Sequence, residues 1–182
     1  MDQIVRRPPI VAILLAVVAL PLITAAGPPA DAAARVDHEV ALTVGEDAAV
    51  DGGAVAGVNY AHLGGTDETY PCGDDPAMMC RTILVELTNP FDADADRGRE
   101  RATLSLALHG DGVGDAAIMV YASDVEGKRG DQVGGQDELG TLADEATTVS
   151  ITTTPDQETV HVLVEVFFHA WAGTWSMDLA FS

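Results

Sequence analysis

Basic residues are scarce in this chain: 9 Lys+Arg stand against 29 Asp+Glu in 182 residues, a formal net charge of −20. A protein that grips phosphates needs a basic face, so nucleic-acid binding is excluded. Cysteine is scarce as well. With only 2 Cys, the chain is neither a cysteine-dense scaffold nor a four-cysteine zinc module. No G-x-S-x-G elbow, H-E-x-x-H helix, Walker loop or G-x-G-x-x-G turn occurs, so serine-hydrolase, zinc-protease and nucleotide-binding chemistry have no local support. The acidic residues are too many for any carboxylate pair to suggest glycosidase chemistry. What is present is apolar: 47% of residues, with a mean hydropathy of +0.16. That argues against disorder throughout, and the length suits one domain.

The N-terminus reads as a targeting segment. Arg6 and Arg7 precede an apolar run over residues 10–26, broken only by Pro21 and Thr24, and two A-x-A patterns follow at residues 30–34. Positive charge, apolar stretch and small-residue exit, in that order, mark a secretory signal peptide. The run is at the short limit for a spanning helix, and Pro21 would kink it. Residues 1–34 are therefore expected to form a signal helix that is cleaved, leaving residues 35–182 as the mature domain. Cleavage removes two basic and two acidic residues, so the net charge of −20 is unchanged. The expected location is secreted, extracellular or in the cell envelope, with no membrane association after cleavage. Such a charge favours a soluble monomer and could attract divalent cations.

Successive side chains of a strand point to opposite faces, so a half-buried strand alternates apolar and polar residues. Six segments do this, at 36–44, 83–88, 103–108, 148–152, 160–167 and 175–181, and residues 54–60 and 116–122 are further strand candidates. Turn formers separate them, among them Asp51-Gly52-Gly53, Asn89-Pro90, Gly110-Asp111-Gly112, Gly134-Gly135 and Pro155-Asp156. No helical period is sustained. The pattern predicts an all-β fold of about eight strands, an antiparallel β-sandwich with a closed barrel as the alternative. Residues 116–122, apolar on both sides, are expected to be central. His161 is expected on the surface of its strand.

Cys72 and Cys80 enclose seven residues. Two thiols cannot complete a structural zinc site, and the spacing is not that of a C-x-x-C redox catalyst. In an exported chain they are expected to form a disulfide, worth about 2.5 kcal/mol for so small a loop. Asp92, Asp94 and Asp96 alternate in one loop and resemble the opening of an EF-hand. Arg97 stands where that loop needs Gly, and Thr103 where it needs a bidentate Glu. They are the candidate ligands for calcium, the one candidate cofactor. Trp171 is read as a turn residue, exposed and free to stack on a ligand, whereas Trp175 is read as core.

From Gly112 onward the order of features resembles the bacterial pre-peptidase C-terminal domain. Gly114-Asp115 precedes the apolar run 116–121, a polar turn covers 123–127, a Thr/Ser strand lies at 147–153, and Gly173-Thr174-Trp175 opens the closing strand. The similarity covers about residues 81–181. Ala117-Ile118 stands where the family has Asp-Leu, and Glu158-Thr159-Val160 departs from its Gly-x-Tyr. The resemblance implies a jelly-roll-like sandwich of the kind appended to secreted hydrolases, non-catalytic, with calcium or extracellular polymers among its ligands. The expected function is thus a non-enzymatic extracellular binding or accessory module, acting in trans on a polymer or protein. A structural cell-envelope protein without a small ligand is the second reading, and a small secreted hydrolase the third.

Overall fold

A computed structural model describes residues 35–58, 72, 79–92, 98–136 and 144–182. The signal segment, residues 1–34, lies outside the described residues. Within them the chain contains no helix. It forms eight strands: β1 (His38–Thr43), β2 (Glu46–Val58), β3 (Cys80–Thr88), β4 (Glu100–Gly110), β5 (Val113–Ser123), β6 (Arg129–Gln136), β7 (Glu145–Thr153) and β8 (Thr159–Phe181). The all-β expectation holds.

The expected strand number is met by a different partition. The segments 160–167 and 175–181 are not separate strands but the two ends of β8, which runs for 23 residues. Conversely, Gly134-Gly135, expected as a turn, lies inside β6. Alternation cannot reveal β6, because Gly130, Gly134 and Gly135 carry no side chain to alternate. Nor is the sheet wholly antiparallel. β1 pairs with β3 in parallel, His38 opposite Ile83, while every other ladder is antiparallel. A parallel pair needs a crossover between its strands, and β2 lies in that crossover. The strands form one hydrogen-bonded mixed sheet, not closed into a barrel.

β8 is its spine. Its first half lies between β3 and β5, and its second half between β2 and β4. The register against β5 slips between Asp115 and Ala116, which face Ala170 and Phe168 and leave His169 as an extra residue. An extra residue reverses the side-chain phase. Before it, the even-numbered Val162, Val164, Val166 and Phe168 enter the main core; after it, the odd-numbered Trp171, Trp175, Met177, Leu179 and Phe181 do. Both halves therefore feed one core, joined by Ile83, Val85 and Leu87 of β3 and Leu104, Leu106 and Leu108 of β4.

The bulge also corrects the reading of Trp171. It lies within β8, not in a turn, and is 2% exposed. Its ring sits 5.4 Å from that of Phe168, which in turn is 5.8 Å from Trp175. Two glycines make room for the indoles. A Cβ on Gly114 would meet the Ala170 carbonyl oxygen and come within 2.9 Å of Trp171 Cε3, and one on Gly52 would fall inside the Trp175 ring.

Candidate functional site

Two surfaces of the sheet carry polar side chains in an organised way. The first is the outer face of β2, β8, β4 and β7. Ladder register sets its side chains in rows: Asp47, Ala180, Ser105 and Thr148 in one, Ala49, Asp178, Ala107 and Ala146 in the next. Alternation places these residues opposite the core-facing Leu104, Leu106, Met177 and Leu179. Because nearly all of them are small, the face is a trough of about 850 Å³. Asp47 and Asp178 are exposed carboxylates on its lining.

His109 stands at one end of this trough. Its Nε2 lies 3.1 Å from Asp178 Oδ2, and its Nδ1 lies 3.7 Å from Asp144 Oδ1. Ser176 is its ladder partner, so a serine, a histidine and aspartates share one stretch of sheet. The geometry is not that of an activated serine. A general base needs one ring nitrogen on the carboxylate and the other on the hydroxyl, whereas here both nitrogens face carboxylates. All three paired side chains are also open to solvent, His109 about half exposed and both aspartates more so, which leaves the carboxylate charges screened.

The second surface lies on the opposite side of β8's first half. Alternation expects Glu165 to face water, yet it is fully buried. Ladder register places it between Thr82 of β3 and Met119 of β5. Arg129 Nη1 lies 3.8 Å from Glu165 Oε2, an ion pair beyond hydrogen-bond length. The same guanidinium lies over the Tyr121 ring, 3.6 Å from its centroid. Neither carboxylate oxygen of Glu165 has a hydrogen-bond partner among the described residues. Burial pushes the Glu165 carboxyl up to about 7, against the opposing pull of Arg129. Burial likewise raises the Tyr121 hydroxyl, with the Glu165 charge adding to it.

Cys72 and Cys80 form the expected disulfide, with Cα atoms 5.6 Å apart. It belongs to a small second core with Ala117 and Phe167, against which Met119 packs. This core sits beside Glu165 on the same face. A disulfide fits an oxidising compartment. His161 is half-buried on this face, with Nε2 3.3 Å from Glu86 Oε2.

Of the proposed calcium ligands, Asp92 is exposed at the end of a described stretch, and Asp94 and Asp96 lie outside the described residues. Among the described residues, no group of three or more His, Cys, Asp or Glu side chains could hold a metal ion. Among them, too, no helix is long and apolar enough to cross a membrane. Trp171 presents no exposed face on which a ligand could stack. Asp111, by contrast, has a clear task. Its Oδ1 accepts the Thr174 backbone N–H at 2.8 Å, which holds its carboxyl below the usual value and ties the β4–β5 turn to β8.

Sequence reading missed both the trough and the Glu165 cluster. The trough has a faint signal, the run of Ala, Ser and Thr on the outward positions of β4, β7 and the end of β8. The cluster has none, because its members come from three strands. No protein-family model matches the chain, and no curated protein matches it either.

Proposed function

We propose that this chain is an exported, non-catalytic binding module whose contact surface is the trough across β2, β8, β4 and β7, and that its partner is an extended basic segment of an extracellular protein. The trough carries the reading. Its small side chains let a second backbone approach the sheet closely, and Asp47, Asp178 and Asp144 set negative charge along it. The net charge of −20 favours a cationic partner over the whole surface. A protein is favoured over a polysaccharide because sugar rings bind by stacking on exposed aromatic rings, and both indoles are buried.

The disulfide and the targeting segment support secretion. The likeness of residues 81–181 to the pre-peptidase C-terminal domain supports an accessory role and a two-layered, jelly-roll-like arrangement, with β8 bending at His169 to serve both layers. Calcium enters this reading only through Asp92, Asp94 and Asp96.

A lysine-rich peptide is the direct probe. Binding should weaken steeply with salt and be lost on Asp47→Lys combined with Asp178→Lys, or on Ala107→Arg, which fills the floor. Binding unchanged by these substitutions, or retention on insoluble polysaccharide in place of the peptide, would overturn the proposal. Calorimetry with calcium and a chelator tests the metal: no heat and no shift in Tm would remove it.

A further inference from the structure

We propose that His109 is an acid-operated release device for the trough: once protonated, its imidazolium becomes the internal counter-ion of Asp178 and Asp144 and displaces the basic partner from them.

The device rests on the reading of the trough as a contact surface for a cationic segment. Ladder register fixes what surrounds His109. On β8 its partner is Ser176, and Asp178 follows two residues later on the same face. Ser176 in turn stands opposite Asp51 of β2, whose Oδ1 accepts the Gly53 backbone N–H at 3.0 Å. On the β7 side stands Asp144, immediately ahead of that strand. In the β4–β5 turn, Asp111 is engaged with the Thr174 backbone N–H. Glu145, opposite Leu108, is buried, and Asp47 lies farther along the trough. Among the described residues, the rows from Asp51 to Asp144, Ala49 to Ala146 and Asp47 to Thr148 hold no Lys or Arg, and His109 is their only base. The one arginine of β4, Arg101, stands at the opposite end of that strand.

Both ring nitrogens already address carboxylates, Nε2 at 3.1 Å from Asp178 Oδ2 and Nδ1 at 3.7 Å from Asp144 Oδ1. A neutral imidazole carries one N–H and donates to only one of them; an imidazolium carries two and serves both. Protonation in acid therefore needs no turn of the ring. It sets a positive charge between two carboxylates that a lysine of the partner would otherwise contact. Ion pairs this open to solvent contribute little to the fold, so an incoming ammonium group and the imidazolium compete for the same oxygens on near-equal terms. The competition runs both ways: acid weakens the partner's hold, and the bound partner expels the proton from His109.

A lysine-rich peptide stays cationic between about pH 5.5 and about pH 8, so a change in its affinity across that range comes from the protein. At constant ionic strength its Kd should rise about tenfold from the higher pH to the lower. In His109→Gln, which takes up no proton, the rise should stay below about twofold. The other histidines remain in that variant and control for the general loss of negative charge. A second measurement needs no peptide: the carboxyl carbon resonance of Asp178 should shift between the two pH values in wild type and far less in His109→Gln. Three results would overturn the device and leave the trough reading intact: a wild-type affinity indifferent to pH, a His109→Gln protein with the full response, or an Asp178 signal that moves alike in both proteins. A peptide that binds neither protein at the higher pH defeats the trough reading itself, and the device with it.

Discussion

Arg129 and Glu165 face one another at 3.8 Å across the intervening β5, with the arginine resting on Tyr121 and the glutamate sealed from water. The pairing is unequal: Arg129 keeps some access to solvent, and Glu165 has none. The charge of the acid is therefore a cost of the folded state that the arginine only partly offsets.

That cost gives a pH dependence with a definite sign. Glu165 sits at about 7 in the fold against an ordinary value of 4.5. Between these values the folded chain keeps a proton that the unfolded chain has released. Glu165 therefore contributes its full relative stability below about pH 4.5 and loses it as pH rises to about 7. The loss is about 3 kcal/mol. Denaturant titrations of wild type and Glu165→Gln across this window should diverge by that amount, with the variant the flatter. Parallel curves would show that Glu165 is not buried as described.

Removing the arginine should hurt most where the acid is charged. Arg129→Met is expected to cost about 3 kcal/mol at pH 8, where it strands a buried carboxylate. At pH 5 it should cost about 1 kcal/mol, the worth of the contact with Tyr121. Urea midpoints at the two pH values check the difference.

The disulfide should contribute about 2.5 kcal/mol through the small loop that it closes. Cys72→Ala with Cys80→Ala is expected to lower the Tm while keeping the β-type circular dichroism spectrum, since the main core excludes both cysteines.

Burial of both tryptophans has an optical consequence. Trp171 and Trp175, the two in the chain, are 2% and 1% exposed. Their emission should be blue-shifted and barely quenched by iodide. Efficient quenching would restore Trp171 as a surface residue.

Gly114→Ala sets a methyl group against the Ala170 carbonyl and the Trp171 ring. It should destabilise by about 2 kcal/mol through overpacking, measured by denaturant unfolding and accompanied by a shift in tryptophan emission.

Alternation by itself determined that the described residues are all-β. It identified the core-facing residues of β3, β4 and both ends of β8, because a strand's two faces repeat strictly every second residue. The expectation of export and the spacing of Cys72 and Cys80 were enough for the disulfide. Only the tertiary structure decided that 160–167 and 175–181 are one strand, because the bulge at His169 reverses the phase and so looks like a break. It alone decided that β1 joins β3 in parallel and that the glycines of β6 form a strand, since pairing is a relation between distant segments. The fate of Glu165 was decided in the same way. A polar residue between apolar neighbours reads as outward-facing, and so it is. Whether outward also means wet depends on what the rest of the chain lays over that face.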